Sequence, residues 1–458
     1  MKTLIIYISI LTIALLTACK KELNQSPTLQ NQGTSSQNVI QTDKQQSGYA
    51  ANELLIKFKK GIIEQIKNKA LASITGTIQK RVLTRAMEHA GDNEGFFIVR
   101  TPLKVLDAVN KIKALPEIQY AEPNYIYKNT GVPNDPEYVN GDLWGMYGDA
   151  TNPANPYGSQ AGEPWAKGHT GKFTVMVGVI DEGAMYNHPD LEGNIQNPVE
   201  FNGVPGVDDD GNGYVDDVYG YDFYFHDNTT YDAPDDDHGT HVSGTIGAKA
   251  NNGQGVVGVC WNITMITSKF IGPGGTGSLA DAVTAIDYIT DLKTRDGYNI
   301  VATNNSWGGG GYSQLLYDAI SRANDQDILF VAAAGNATNN NDVTPTYPAS
   351  YDLPNIISVA AITSTGALAG FSNYGATTVD LGAPGENIIS TLPGSTYGYK
   401  SGTSMAAPHV TGAAALYASL HPGATAAHIK AAILKSIIPT PSLQGKTVTG
   451  GRLDLSKF

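Results

Sequence analysis

The sequence predicts an α/β fold with a mainly parallel central sheet, preceded by a small α+β domain. Two uninterrupted apolar runs, Thr174-Val175-Met176-Val177-Gly178-Val179-Ile180 and Ile328-Leu329-Phe330-Val331-Ala332-Ala333-Ala334, read as strands buried on both faces, the pattern of a parallel sheet. The composition, 41% hydrophobic and 16% charged with 51 glycines among 458 residues, suits an ordered, loop-rich α/β chain rather than a helical or disordered one. Between residues 52 and 121 the apolar spacing switches repeatedly between period two and helical period. That marks a separate, smaller unit, and the length itself favours two or three units.

A formal net charge of -13 opposes a phosphate-tracking partner, so nucleic acid is excluded as a ligand. The surplus carboxylates are available to cations. Only two cysteines occur, Cys19 and Cys260, in unlike surroundings, which argues against a mutual disulfide. Cys260 lies in the apolar run Val256-Val257-Gly258-Val259-Cys260-Trp261 and reads as a small buried apolar residue rather than a reactive thiol.

In chain order, Met1-Lys2 followed by the apolar run Leu4 to Leu16 has the charged start and short hydrophobic core of an export signal, too short for a typical membrane span. Leu16-Thr17-Ala18-Cys19 resembles a bacterial lipobox, which makes residues 1–18 a lipoprotein signal peptide and Cys19 a lipidation site. The alternative is an ordinary secretory signal cut near Ala18. Multiple acylation would hold the chain at a membrane face of the cell envelope. Residues 19–49, rich in Gln, Asn, Ser and Thr, cannot bury enough apolar surface to fold alone and read as a flexible tether.

Residues 50–128 form the small unit. Leu54, Ile56 and Phe58 alternate as in a strand; Ile62, Ile63, Ile66, Ala70 and Leu71 recur at helical spacing. Phe96-Phe97-Ile98-Val99 reads as a strand, Leu103 to Leu115 as a second helix, and Ile118-Gln119-Tyr120-Ala121 as a further strand. The polar, proline-containing stretch Lys128 to Pro136 suits an exposed processing linker.

Residues 129–458 carry the chemistry. Asp181 closes the first buried strand, and the carboxyl ends of strands are where open α/β sheets place their sites. There a carboxylate can orient an imidazole and stabilise its protonated form; a lone Asp after a strand is otherwise a helix cap. His238 begins an apparent helix of small residues, with His241 one turn later as a competing histidine. Ser404 in Gly402-Thr403-Ser404-Met405-Ala406 precedes a small-residue helix from Ala406 to Ala418, a place where a serine is commonly a cap and where a backbone amide can support an oxyanion. Asn336 ends the second buried strand and offers an amide donor; a turn asparagine is the plain alternative.

Taken together, Val179-Ile180-Asp181-Glu182-Gly183, Asn187-His188-Pro189-Asp190-Leu191, Asp237-His238-Gly239-Thr240-His241-Val242 and Ser401-Gly402-Thr403-Ser404-Met405-Ala406-Ala407-Pro408 resemble the subtilase family of serine peptidases over roughly two thirds of the chain. Asp before His before Ser is the subtilisin-type order of the triad. The resemblance implies a subtilisin-like three-layer fold and a catalytic set of Asp181, His238 and Ser404, with Asn336 as oxyanion donor; His241, Pro408 and His409 are structural. It also implies that Ile118 to Asn124 ends a ferredoxin-like propeptide, an intramolecular chaperone and inhibitor whose removal would free the enzyme from its lipid anchor.

Lys269 to Ser278, with Gly275, Thr276 and Gly277, resembles the strand and loop that bind one side of an extended substrate, and Asn304 to Gly309, with Ser306, Trp307 and Gly308, the other. Gly308, Ala334 and Gly335 near the specificity pocket imply apolar or aromatic residues before the cut. Asp208-Asp209-Asp210-Gly211-Asn212-Gly213-Tyr214-Val215-Asp216-Asp217 places oxygen donors at alternating positions around a turn, the pattern of a Ca²⁺ loop. Its expected ligands are Asp208, Asp210, Asn212, Asp216 and the Tyr214 carbonyl. Asn251 to Val256 resembles a second family calcium loop. The expected protein is a monomeric, surface-anchored or released endopeptidase acting on proteins or peptides. The alternatives are a narrow maturation or leader-peptide protease and a non-catalytic surface binding protein; His238 argues against the acid-active sedolisins.

Overall fold

In the computed structural model, which describes residues 49–125, 132–232 and 234–458, the alternation of Leu54, Ile56 and Phe58 becomes β1 (Tyr49–Phe58), with all three side chains buried. Two compact units, Met1–Tyr127 and Lys128–Phe458, make up the chain. The signal peptide, Cys19 and most of the tether lie outside the described residues.

In the first unit β1 is followed by α1 (Glu64–Ser73), β2 (Thr77–Val82), α2 (Arg85–His89), β3 (Phe96–Arg100), α3 (Val105–Ile112) and β4 (Ile118–Tyr125). The strands form an antiparallel sheet in the order β2-β3-β1-β4. Val105, Ala108, Val109 and Ile112 lie on one stripe of α3 and join Leu54, Ile56 and Phe58 in a single core. Strand β2 was not expected. Its sequence TIQKRV leaves only Ile78 and Val82 partly buried, and such polar strands suit a sheet edge.

In the second unit three short helices, α4 (Pro136–Asn140), α5 (Gly162–Ala166) and α6 (Pro198–Phe201), accompany β5 (Gly171–Asp181) and β6 (Gly220–Asp222). Then follow α7 (Asp237–Gly247), β7 (Asn262–Lys269), α8 (Leu279–Asp296), β8 (Ile300–Asn305), α9 (Gln314–Asp325), β9 (Leu329–Ala333), β10 (Ile356–Ile362) and β11 (Leu381–Pro384). The hairpin of β12 (Ile388–Leu392) and β13 (Thr396–Lys400) leads to α10 (Thr403–Leu420), α11 (Ala426–Ser436), β14 (Ile438–Pro439) and β15 (Gly451–Arg452).

Nine strands form one sheet in the order β14-β15-β11-β10-β9-β8-β5-β7-β6. Every neighbouring pair is parallel except β14 with β15. Alternate residues of β5 serve opposite faces: Val175, Val177 and Val179 join the core that contains α7 and α10 residues, while Met176 and Ile180 join the core of α8 and α9. The result is a three-layer sandwich with β5 near its centre. Helix α10 is buried on nearly all sides, which its alanines and glycine permit by close approach. It starts at Thr403, three residues before the expected start, so Ser404 lies inside its first turn rather than ahead of it.

Candidate active site

Asp181 and His238 meet because β5 and α7 end and begin at the same edge. Asp181, fully buried, is the last residue of β5, and His238 is the second residue of α7. Their side chains are joined by a 2.8 Å contact between His238 Nδ1 and Asp181 Oδ1. Because a carboxylate only accepts, Nδ1 carries a proton, so in the neutral ring it is Nε2 that holds the lone pair. Asp181 Oδ1 also accepts the Glu182 N–H at 2.8 Å. Burial works against a charged His238, but the charge and hydrogen bond of Asp181, aided by Glu182, outweigh it and hold the imidazole above the ordinary histidine value.

The turn bearing His238 is anchored from behind. Lys269, fully buried at the end of β7, donates to Asp236 at 2.7 Å and lies 2.7 Å from Asp232. Thr240 Oγ1 donates to the Asp236 carbonyl at 2.6 Å. His241 points the other way: its Nε2 is 2.9 Å from the Ile388 carbonyl and 3.2 Å from that of Gly398, which fixes the β12–β13 hairpin, and burial pushes its pKa down to about 3. His409, with Nδ1 2.9 Å from the Met405 carbonyl, is pushed down to about 4 by burial.

Ser404 is tied to the end of β8 by two opposed hydrogen bonds. Its hydroxyl donates to the Ser306 carbonyl at 3.0 Å, and the Ser306 hydroxyl donates to the Ser404 carbonyl at 2.8 Å. Pro408 explains the second bond: it lacks the N–H that would otherwise meet the Ser404 carbonyl one helical turn away. Asn336 follows β9, and its side-chain oxygen accepts from the Thr403 N–H at 2.8 Å and the Thr403 hydroxyl at 3.0 Å. With that oxygen engaged, the amide nitrogen is the free end of the group.

Asp181, Glu182, His238, Ser306, Trp307, Gly308, Gly335, Asn336 and Ser404 all line one cleft of about 550 Å³. Gly275, Trp307 and Gly308 also border an adjoining cavity of about 520 Å³, with Thr276, Gly277 and Phe270. Gly335, at φ +108°, has no room for a side chain: a Cβ would stand 2.4 Å from the Asn373 amide nitrogen. Ala334 does not line the cleft; it is fully buried just past the end of β9, and Ala333 lines the cleft instead. Sequence reasoning missed Thr346 and Asn373, which reach the cleft from loops with no local pattern. It quoted Glu182 without a role.

The acidic loop is rearranged relative to expectation. Carboxylate oxygens of Asp208 and Asp210 gather with one of Glu200, all within 4.8 Å of one another. Glu200 comes from α6, and its Oε2 is buried without a donor among the described residues. Asp216 faces away, accepting the Gly206 N–H at 2.8 Å. Asp217 turns inward instead and accepts from Asn197 at 3.0 Å and Asn212 at 2.8 Å. Asn212 spends its own oxygen on the Tyr214 N–H at 2.6 Å. A trio of converging carboxylates with an unsatisfied buried oxygen fits a hard, oxygen-seeking cation. At the second loop, buried Asp135 and Asp190 accept from the Asn251 N–H at 2.8 Å and the Asn252 side chain at 2.6 Å.

Residues 172–454 match the sequence profile of the subtilase family of peptidases, and residues 35–124 that of the fervidolysin N-terminal prodomain. The chain belongs to the subtilase family and is a subtilisin-like serine protease made with a prodomain. It is 35% identical over 384 residues to a thermophilic serine proteinase of Bacillus sp. (strain AK1), covering 83% of this chain and 81% of that protein. It is 36% identical over 332 residues to the extracellular basic protease of Dichelobacter nodosus, covering 68% of this chain and 52% of that one. Among solved structures, a protease from Pseudoalteromonas arctica superposes with a TM-score of 0.57 at 28% identity, covering 71% of this chain and 98% of that one.

Proposed function

We propose that the chain is an exported serine endopeptidase that cleaves peptide bonds through an acyl-enzyme, with Ser404 as nucleophile, His238 as general base, Asp181 as its orienting acid and Asn336 as oxyanion donor. The observation that carries this reading is the 2.8 Å Asp181–His238 contact opening into the same cleft as Ser404 and Asn336. As Ser404 Oγ bonds to the scissile carbonyl carbon, its proton passes to His238 Nε2, and Asp181 stabilises the imidazolium. The Asn336 amide and the Ser404 backbone N–H then hold the oxyanion. The imidazolium returns the proton to the leaving amine, and water, activated by the same nitrogen, releases the acyl group.

Gly308, Ala333 and Gly335 leave the cleft floor without bulk, which supports apolar or aromatic residues before the cut. The prodomain match supports an inhibitory propeptide, and the burial of Pro133 and Asp135 supports its removal by cleavage ahead of them within the 128–136 stretch. Glu200, Asp208 and Asp210, with further oxygens of the 208–217 loop, would hold Ca²⁺, whose charge would add to that of Arg295, 3.4 Å from Asp210. The extracellular relative supports export, with Cys19 as the lipid anchor. The test is to incubate wild-type and Ser404→Ala protein with a proteome-derived peptide library and read the cuts by mass spectrometry. Broad cutting after apolar residues, absent from the variant, is expected; a single cut motif would replace broad specificity with a maturation role, and equal cutting by both proteins would overturn the assignment.

A further inference from the structure

Glu182 stands next to the acid in the chain, is only 8% exposed, and lines the catalytic cleft. Its Oε1 accepts the backbone N–H of His238. We propose that Glu182 is a positioning residue for the base: it pins the turn that carries His238 and adds a second negative charge that, with Asp181, stabilises the imidazolium formed during catalysis. This rests on the peptidase reading above and deepens it.

A carboxylate withdrawn from water is costly unless something compensates it. The charged groups around Glu182 are few: Asp181 from β5, His238 and Asp237 from α7, with Lys400 of β13 acting on His238. Lys400 is 2.9 Å from Asp237, and Lys269 is committed to Asp232 and Asp236. No lysine or arginine among the described residues forms an ion pair with Glu182, so the cation that repays its burial is His238 itself. Burial and the adjacent Asp181 charge push the Glu182 carboxyl up to about 7, against the pull of the His238 N–H and ring. Glu182 and His238 are therefore coupled, the charge on each favouring the charge on the other.

Removing the charge withdraws support from the imidazolium. In Glu182→Gln, whose amide oxygen can still accept the His238 N–H, the acidic limb of kcat/KM moves to lower pH by about one unit. Plateau kcat falls by up to about tenfold, the equivalent of that unit. The experiment measures pH profiles of peptide hydrolysis and of inactivation by phenylmethanesulfonyl fluoride, the second reading the base without bound peptide, for wild type, Glu182→Gln, Glu182→Ser and Glu182→Asp. Both neutral variants are expected to shift downward in both profiles, and Glu182→Asp to stay near wild type. Glu182→Ser serves if Glu182→Gln does not fold. A limb unmoved in the neutral variants, or moved equally in Glu182→Asp, overturns the proposal. Ser404→Ala run alongside separates the two readings, since its inactivity sustains the peptidase assignment whatever Glu182 does.

Discussion

Replacing Asn336 with alanine should separate catalysis from stability. In the folded enzyme the Asn336 side chain is exposed, and its oxygen takes two bonds from Thr403, at 2.8 and 3.0 Å. Losing both leaves the buried Thr403 to find other partners, at about 1 kcal/mol per bond and less where water enters. That lowers the melting temperature by only about 2–6 °C in a unit of this size. In the proposed role of Asn336 as oxyanion donor, its loss costs more, about 2.7–4 kcal/mol, or 10²–10³ in kcat. The assay is steady-state hydrolysis of a p-nitroanilide peptide on the alkaline plateau, with melting recorded on the same preparation, and KM should barely move. Asn336→Asp is the stricter companion: it keeps the oxygen for Thr403 but replaces the donor with negative charge, so melting should hold while kcat falls further. A loss in kcat below about tenfold in both variants, or an effect carried mainly by KM, would refute the assignment of Asn336 as an oxyanion donor.

Asp181→Asn should lower kcat by roughly 10³–10⁴, because an amide that donates to Nδ1 moves the ring proton to Nε2 and removes the base; a pH-rate profile and kcat on purified protein check this. Acid lability should follow from the two buried neutral histidines. His241 and His409 have folded pKa values pushed down to about 3 and about 4, so the unfolded chain binds more protons below the ordinary value of about 6.5, and stability falls by about 1.4 kcal/mol per pH unit per histidine. Raised carboxyls such as Glu182 and Asp222 take up protons in the folded chain over the same range and work the other way, so the histidine contribution is read as a difference. Melting of Ser404→Ala protein should fall more steeply between pH 7 and 4 than that of the same protein carrying His409→Gln, and equal slopes would contradict a neutral buried ring. Chelation with EDTA should lower melting and speed autolysis, since a ligand at a hundred times its Kd stabilises by about 2.7 kcal/mol; Glu200→Gln should make the enzyme less sensitive to added Ca²⁺.

The parts of the fold that sequence could announce are those whose pattern is local. Strands β5 and β9 are apolar on both faces and bounded by chemistry-bearing residues, so their ends point directly to Asp181 and Asn336. Strand β2 carries no such signal, because an edge strand buries little and TIQKRV is mostly polar. The start of α10 was misplaced because Gly402 and Thr403 look like a loop; the Thr403 bonds to Asn336 and Gly335 that hold the first turn come from elsewhere in the chain. The acidic loop shows the same limit. Its spacing suggests a cation site, yet Glu200, which joins Asp208 and Asp210, lies eight residues upstream on a separate helix, and whether Asp216 or Asp217 points inward depends on Asn197 and Tyr288. Glu182 sat in plain view in the acid motif, but its partner is a backbone N–H more than fifty residues away.

Pro408 takes one internal hydrogen bond away from α10, and the carbonyl thus released, that of Ser404, is claimed by Ser306 of the cleft wall. A gap in one helix has become a fastener between two layers. Together with the reverse bond from the Ser404 hydroxyl, it ties Ser404 to the cleft wall at two points. In the proposed reaction the Ser404 hydroxyl must leave the Ser306 carbonyl to give its proton to His238, and the bond from the Ser306 hydroxyl to the Ser404 carbonyl is the one that still holds the residue against the cleft wall.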